Sequence, residues 1–472
     1  MRRGRLAPLG AVLVLVVACA PHTREHRPGM DIDLPQAWRA DAAALDAEPA
    51  PWLSDFDDST LAALVDEALV HNHELSAAAA RWARARAAAE AAGALRWPQL
   101  DAGASAARSR SNVTDFRGDS VKRHGTTYTL EASLSWEVDL WGRLAAQNRA
   151  AGRRARAARA DLRSARLSLI AAVARGYIAV VHDRLQVDIA QDYADNIATT
   201  AELVRARYRD GEVRAADVTL IAAEVEQARA DLARWRGTLA SSMRALEILL
   251  GRYPAGLVET PRQLPQIQTP IAAGLPVQLL LRRPDLRAAA ERLLAANADT
   301  SGAHADLFPR LSLTAAGGRR SDDLGDLLDP ANAVWNLIGN LTAPLLDGGR
   351  RRAVVRQRQA DADAALQQFR QSALQAFKEV EEALALRSLL RERRDALLAS
   401  LAQLERAVQL LREQYDDGQT DVLDLLRTAR NVLGARSGAA AMQRAVVDNR
   451  IALHLALGGP ALPPPRTKKE TP

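Results

Sequence analysis

The segment Tyr128–Arg143, YTLEASLSWEVDLWGR, constrains this chain more than any other. From Tyr128 to Leu140 it alternates without a miss. Tyr128, Leu130, Ala132, Leu134, Trp136, Val138 and Leu140 share one face; Thr129, Glu131, Ser133, Ser135, Glu137 and Asp139 share the other. Strand side chains alternate between faces, so the pattern spells a strand with one apolar and one wet side. After Trp141-Gly142-Arg143 the period changes at once. Residues 144–208 are rich in Ala, Arg, Leu and Gln and hold no proline, which spells one long helix. An apolar-out strand feeding straight into such a helix fits a membrane strand that continues as a helix outside the bilayer.

The start of the chain sets the compartment. Arg2, Arg3 and Arg5 precede the apolar run Leu6–Ala18, which together read as a signal peptide over residues 1–18. That run falls short of the roughly 17–25 residues a membrane helix needs. A small residue, Ala18, then stands before Cys19, the only cysteine, in the manner of a bacterial lipoprotein cleavage site. The resemblance implies a lipid on Cys19 as the mature N-terminus, leaving no thiol for a disulfide. One acyl-type anchor holds weakly, so a second membrane contact is expected. The 472 residues allow two or more domains, and 48% are hydrophobic. No stretch after the signal reads as a membrane helix, so further bilayer contact falls to strands. The net charge of +6 would suit nucleic acid, but an exported chain meets none routinely.

The chain contains itself twice. At an offset of 211, His73-Glu74-Leu75 meets Pro284-Asp285-Leu286, Arg81 meets Arg292, Trp97-Pro98 meets Phe308-Pro309, and Leu100 meets Leu311. Leu140–Arg143 then parallels Leu346–Arg350. At an offset of 207, Gly142 meets Gly349, Tyr208–Gly211 meets Tyr415–Gly418, and Asp217 meets Asp424. The repeated unit is helix, strand, strand, long helix, glycine turn, long helix. The first copy spans 60–270 and the second 271–458, after a segment at 19–59 and before a tail at 459–472.

The spacing predicts a helix over about Thr60–Leu95, irregular at His71–His73, then strands at about 99–111 and 127–140. Asn112–His124 reads as a loop between them. In the second copy the strands fall at about 310–320 and 334–344. Leu100, Ala102, Ala104 and Ala106 share one strand face; so do Leu311, Leu313 and Ala315, and so do Trp335, Leu337, Gly339 and Leu341. Trp97, Tyr128, Trp136, Trp141, Phe308 and Trp335 sit near strand ends, as in an interfacial belt. Core packing is the plain alternative. Helical hairpins follow at about 143–250 and 350–457, with Trp52 and Phe56 as possible anchors near the N-terminus. A 65-residue helix is roughly 100 Å long. Small residues recur at seven along it: Ala155, Leu162, Leu169 and Gly176, with Ala158, Ala165, Ala172 and Ala179, then Val187, Ala194, Ala201 and Tyr208. The phase shift between those runs reduces supercoiling and straightens a bundle.

Four strands cannot close a barrel in lipid, where edges must be paired and barrels begin at about eight strands. At this point the chain resembles the outer-membrane factors of the TolC type, in the lipoprotein branch of multidrug-efflux channels. The resemblance rests on Trp97-Pro98-Gln99-Leu100, Leu140–Arg143, Arg282–Leu286, Phe308-Pro309, Leu346–Arg350 and the tips Tyr208–Gly211 and Tyr415–Gly418. It implies an α+β membrane protein and a homotrimer: twelve strands in the outer membrane, four from each chain, and a periplasmic α-barrel of helical hairpins. An equatorial belt would draw on residues 20–59, 251–281 and the tail. It implies a passive conduit with no chemistry and no cofactor. Its partners would be a periplasmic membrane-fusion adaptor, an inner-membrane pump (RND, MFS or ABC type) and outer-membrane lipid. Protein secretion through the same kind of conduit is the alternative.

Candidate sites cluster at the tips. Asp416, Asp417, Asp421 and Asp424 make the second tip acidic, and in a trimer each becomes a ring of three that favours cations and can gate. Relatives resemble this at Asp424 and often carry a second carboxylate nine residues past the glycine. Here that place is Arg427, which sits one helical turn from Asp424. A solvated acidic helix start is the bland alternative. Tyr208, Gly211, Tyr415 and Gly418 would dock the adaptor, or merely reverse the chain. Arg149, Arg153, Arg154, Arg156, Arg159, Arg163 and Arg166, echoed by Arg350–Arg352, Arg356 and Arg358, point to anionic headgroups or a solvated face. His71-Asn72-His73 is a poor nuclease signature, because residues two apart on a helix do not share a face. No phosphate loop, paired cysteines or serine elbow occurs, so neither an enzyme nor a metal site is expected. A structural coiled-coil lipoprotein would not need Tyr128–Leu140, and an efflux adaptor would carry one hairpin rather than two.

Overall fold

The computed structural model describes residues 38–39, 56–114, 116, 118, 120–267 and 276–459. The signal peptide, Cys19, Trp52, most of 19–59 and nearly all of the tail lie outside them. The chain forms two compact units, each drawing on both halves of the sequence.

The first unit comprises Arg81–Arg159 and Ala288–Arg370. Its centre is an antiparallel sheet in the order β1 (Gln99–Thr114), β2 (Ser120–Val138), β3 (Arg310–Ser321), β4 (Ala333–Thr342). The register pairs Leu100 with Leu134, Ala102 with Ala132 and Ala104 with Leu130. It then pairs Leu134 with Ala315 and Trp136 with Leu313, and these in turn with Leu337 and Gly339. Directly opposed residues lie on the same side of a sheet. The apolar faces expected of the separate strands therefore merge into one band, beyond which the same face carries Arg319, opposite Leu130, and Arg108 and Arg110. The other face carries Asp101, Ser133 and Asn336.

Strand bounds differ from expectation. Asn112–Thr114 belongs to β1 and Ser120–His124 to β2, paired through Val113 with Val121 and Asn112 with Lys122. Main-chain bonds carry a ladder onward even where side chains turn polar, so composition read this stretch as loop. β2 ends at Val138, which puts Leu140 in the following turn, and Tyr128 sits mid-strand opposite Ser321. β4 stops at Thr342, short of Pro344, which cannot donate to a ladder.

Beyond each strand pair the chain becomes a helix of 67 residues, α3 (Arg143–Arg209) and α7 (Arg350–Asp416). The junctions are capped alike. Asp139 accepts from the Leu144 and Ala145 amides at 3.0 and 2.6 Å. Asp347 accepts from the Gly349 and Arg351 amides at 3.0 and 3.2 Å. A carboxylate there satisfies amides that the first turn leaves free. Trp141 stacks on Phe308 at 5.0 Å, and its Nε1 donates to the Pro309 carbonyl at 2.6 Å. The remaining helices are α1 (Ser59–His71), α2 (His73–Ala94), α4 (Ala215–Leu250), the short α5 (Pro276–Arg282), α6 (Pro284–Ala305) and α8 (Val422–Ala456).

The second unit comprises Ile32–Ala80, Ala160–Arg287 and Gln371–Pro472. One core packs Phe56, Leu61 and Val65 against Val173, Tyr177 and Ile178, with Leu246, Leu250 and Ile451. A second gathers Trp38, Leu279, Leu286, Val380 and Leu453. Along the upper part of α3 the buried positions include Ala157, Ala160, Leu167, Leu169, Ala171, Ala174, Ile178 and Val181. This corrects the expected seam in part: Leu169 is buried as expected, whereas Ala155, Ala158, Leu162, Ala165, Ala172, Gly176 and Ala179 are only half-buried. Lower down, Ala194 and Ala201 are buried as expected. One window of α3 is, against expectation, long and apolar enough to cross a bilayer by composition, but 56% of it is buried within the protein.

Two sequence motifs resolve into scaffolding. Asn72 breaks the helix between α1 and α2; its Nδ2 donates to the Leu249 carbonyl and its Oδ1 accepts from the Leu75 amide, both at 2.9 Å. Arg283 of the Arg282–Leu286 motif is buried and pairs with Asp285 at 2.7 Å and Glu379 at 2.6 Å. It also donates to the Ala456 carbonyl at 3.1 Å, tying α6, α7 and α8 together. A buried polar cluster, scattered in sequence, went unanticipated. His182 Nδ1 lies 2.9 Å from Asp183, Ser242 donates to Asp183, and Arg444 pairs with Asp448 at 3.4 Å. Burial pushes the Asp183 carboxyl up, but hydrogen bonds from His182 and Ser242 outweigh it and hold it below its ordinary range. At Asp448 burial outweighs Arg444 and Arg175, and the carboxyl is raised.

Candidate functional site

The helical tips lie within the second unit. Each is closed by a glycine in the left-handed region, Gly211 at φ +77° and Gly418 at φ +73°, where a side chain would be strained. The hydrogen bonding is the same at both. The Gly211 and Gly418 amides donate to the carbonyls of Tyr208 and Tyr415 at 3.1 Å. The next amides, Glu212 and Gln419, donate to Arg207 at 2.9 Å and Gln414 at 2.8 Å. This double closure is the Schellman motif.

Around that shared backbone the side chains diverge. Tyr415 is 2% exposed, whereas Tyr208 is 47% exposed and does not join the buried seam. The Arg207 guanidinium lies over the Tyr415 ring at 4.5 Å. It donates to the carbonyls of Tyr415 at 2.6 Å and Asp416 at 2.9 Å. Arg214 pairs with the buried Asp217 at 2.9 Å and reaches Asp421 at 3.4 Å. Hydrogen bonds from Arg214 hold the Asp217 carboxyl below its ordinary range, against a smaller opposing effect of burial.

The acidic residues of the second tip play separate roles. Asp416 and Asp417 are exposed. Asp421 is the N-cap of α8, accepting from the Leu423 amide at 3.3 Å. Asp424 pairs with Arg427 at 3.7 Å, one turn on, and both are well exposed. Sequence reading missed a third linkage just above. Tyr193 donates to Glu224 at 2.5 Å, and Arg430 clamps the same carboxylate at 2.9 and 2.6 Å. This joins α3, α4 and α8, and burial beside Glu224 raises the Tyr193 phenol. Apolar residues Ile197, Val204, Ile221, Val422 and Leu425 fill the space between. A cavity of about 170 Å³ opens beside them, lined by Tyr193, Ile197, Val408, Arg412, Leu425 and Arg436. Among the described residues no His, Cys, Asp or Glu cluster could hold a metal ion.

A sheet with an apolar band on one face, handing each strand pair to a long helical hairpin with a capped tip, is the plan of an outer-membrane exit-channel subunit. The chain belongs to the outer membrane efflux protein family, whose model matches residues 64–252 and 275–459. It is 30% identical over 469 residues to the cation efflux system protein CusC of Escherichia coli O6:H1, covering 96% of this chain and 98% of that one. It is 31% identical over 466 residues to the pyoverdine export outer membrane protein OpmQ of Pseudomonas putida, covering 96% of each. Its fold matches the solved outer-membrane channel OprN with a TM-score of 0.85 at 30% identity, over 91% of this chain and 98% of the other. The protein is thus an efflux channel component of the outer membrane. The reading as a structural coiled-coil lipoprotein falls with the sheet and the family match.

Proposed function

We propose that three copies of the chain close one barrel and act as a passive conduit for small molecules. The observation that carries this is the apolar band on one face of a sheet whose outer strands, β1 and β4, each have one edge unpaired among the described residues. Lipid tolerates no such edge, and three sheets of four give a barrel of twelve. The hairpins α3–α4 and α7–α8 continue as a periplasmic α-barrel. The two halves, 60–270 and 271–458, are internal repeats of one design. A lipid on Cys19 anchors the segment 19–59, and the tail 459–472 joins the belt. A periplasmic adaptor meets the tips at Tyr208, Gly211, Tyr415 and Gly418. An inner-membrane pump of the RND, MFS or ABC type supplies the energy, and the channel itself performs no enzymatic step.

The second tip is the periplasmic gate. Asp416, Asp417, Asp421 and Asp424 become carboxylate rings in a trimer, with Arg427 tempering the ring at Asp424. The relatives' names span a cation efflux system, pyoverdine export and a toluene efflux pump. Such unlike cargo on one plan supports small-molecule efflux in which the pump, rather than the channel, selects the substrate. Light scattering and planar-bilayer recording on the full chain in detergent test the reading. A trimeric mass with discrete cation-selective steps is expected. A monomer without conductance overturns it.

A further inference from the structure

Where strands give way to helices, the first unit exposes an unusual mixture. Leu345 and Leu346 are 94% and 95% exposed, and Trp97 is 72% exposed. At the same strand-to-helix junctions stand five exposed arginines: Arg96, Arg149, Arg350, Arg352 and Arg356. Arg149 and Arg356 hold equivalent places, each six residues into its long helix, roughly 9 Å along the axis.

The carboxylates of this band are already engaged. Glu137 is held by Arg143 at 2.7 Å, Asp139 and Asp347 cap helices, and Asp306 pairs with Arg310 and Arg351. Asp101 belongs to the polar face of the sheet, opposite Ser133. None of the five arginines makes an ion pair among the described residues. Free guanidinium groups beside bare leucine and tryptophan suit a surface that is apolar on one side and anionic on the other. Arginine is suited to phosphate because its planar fork donates two parallel bonds, and its stem can lie along apolar surface.

We propose that this band binds anionic phospholipid headgroups of the periplasmic leaflet of the outer membrane. The inference rests on the reading that β1–β4 cross that membrane. Arginine phosphate contacts then seat the barrel at a fixed depth, with Trp97, Leu345 and Leu346 in the acyl border. The number of contacts triples in the trimer.

Native mass spectrometry on the full chain in mixed micelles of phosphatidylethanolamine and phosphatidylglycerol tests it. The wild type is expected to retain phosphatidylglycerol in preference, and to lose that preference in about 1 M salt, where the screening length is about 3 Å. The triple variant Arg149→Gln, Arg352→Gln, Arg356→Gln should lower the preference at least about tenfold. The control Arg393→Gln, Arg406→Gln, in the C-terminal half of α7, should keep it. A wild type without lipid preference overturns the proposal whatever the variants do. So does a triple variant with unchanged preference but altered ion selectivity, which would place the arginines in the pore. Planar-bilayer conductance of the wild type separates the two readings, because a protein that never conducts refutes the membrane channel rather than the lipid band.

Discussion

The two helical tips share a backbone and divide the chemistry between them. At equivalent positions the first tip has Arg207 and Arg214 where the second has Gln414 and Asp421. The first tip donates; the second offers carbonyls and a carboxylate to receive. The tyrosines part in the same way, one buried under a guanidinium and the other facing solvent. Two copies of one turn have become the two sides of a latch within a single chain, which identical copies could not form.

The largest effect should come from Arg207. Arg207→Ala removes two charge-assisted bonds and a ring contact at a side chain 17% exposed, and should cost about 3 kcal/mol of stability. Gln414→Ala, its counterpart, should cost almost nothing. Equal losses in thermal unfolding would break the comparison. Next, Arg430→Ala leaves Glu224 with Tyr193 alone; as Arg430 is itself half exposed, the loss should be about 1–2 kcal/mol. Spontaneous opening, seen as rarer closed intervals in single-channel records, should accompany both.

Asp421→Ala with Asp424→Ala removes the α8 cap, at about 1 kcal/mol, and two carboxylates of the proposed gate. Higher single-channel conductance and weaker cation selectivity are expected; no change in either would remove the gate. The acid response of the first tip is smaller. Asp217 is held low by Arg214, so its contribution is complete above the unfolded carboxylate value of about 3.9 and lost as pH falls through the lower folded value. Asp217→Asn should lower stability near neutral pH and flatten that acid limb in unfolding curves taken from pH 6 to about 2.

Much of the fold was legible because its signals are periodic and local. Alternation marked β2, glycine marked both tips, and the proline-free runs marked α3 and α7. The upper seam on α3 was largely not, because in an alanine-rich helix several heptad stripes are equally small, and only the neighbours decide which is covered. The burial of Tyr415 goes with Arg207 over its ring and the apolar cluster around it, which a comparison of the tyrosines alone does not reveal. Glu224 and Arg430 are 206 residues apart, and no short motif joins them. Trp38 packs against Phe377 at 6.3 Å from a stretch whose composition reads as irregular.

The connection between β2 and β3 sets the order in which this protein can come into being. The two strands pair directly, yet β2 ends at Val138 and β3 begins at Arg310. The pairs β1–β2 and β3–β4 are local and can form as soon as each is made. Their union must wait for a whole helical hairpin and for closure of a very long loop, which makes it slow. Until then, the newly exported chain carries bare strand edges through a crowded compartment, where they can pair wrongly. The two strand pairs, each local in the chain, should therefore form first, with their union into one sheet its last part to be completed.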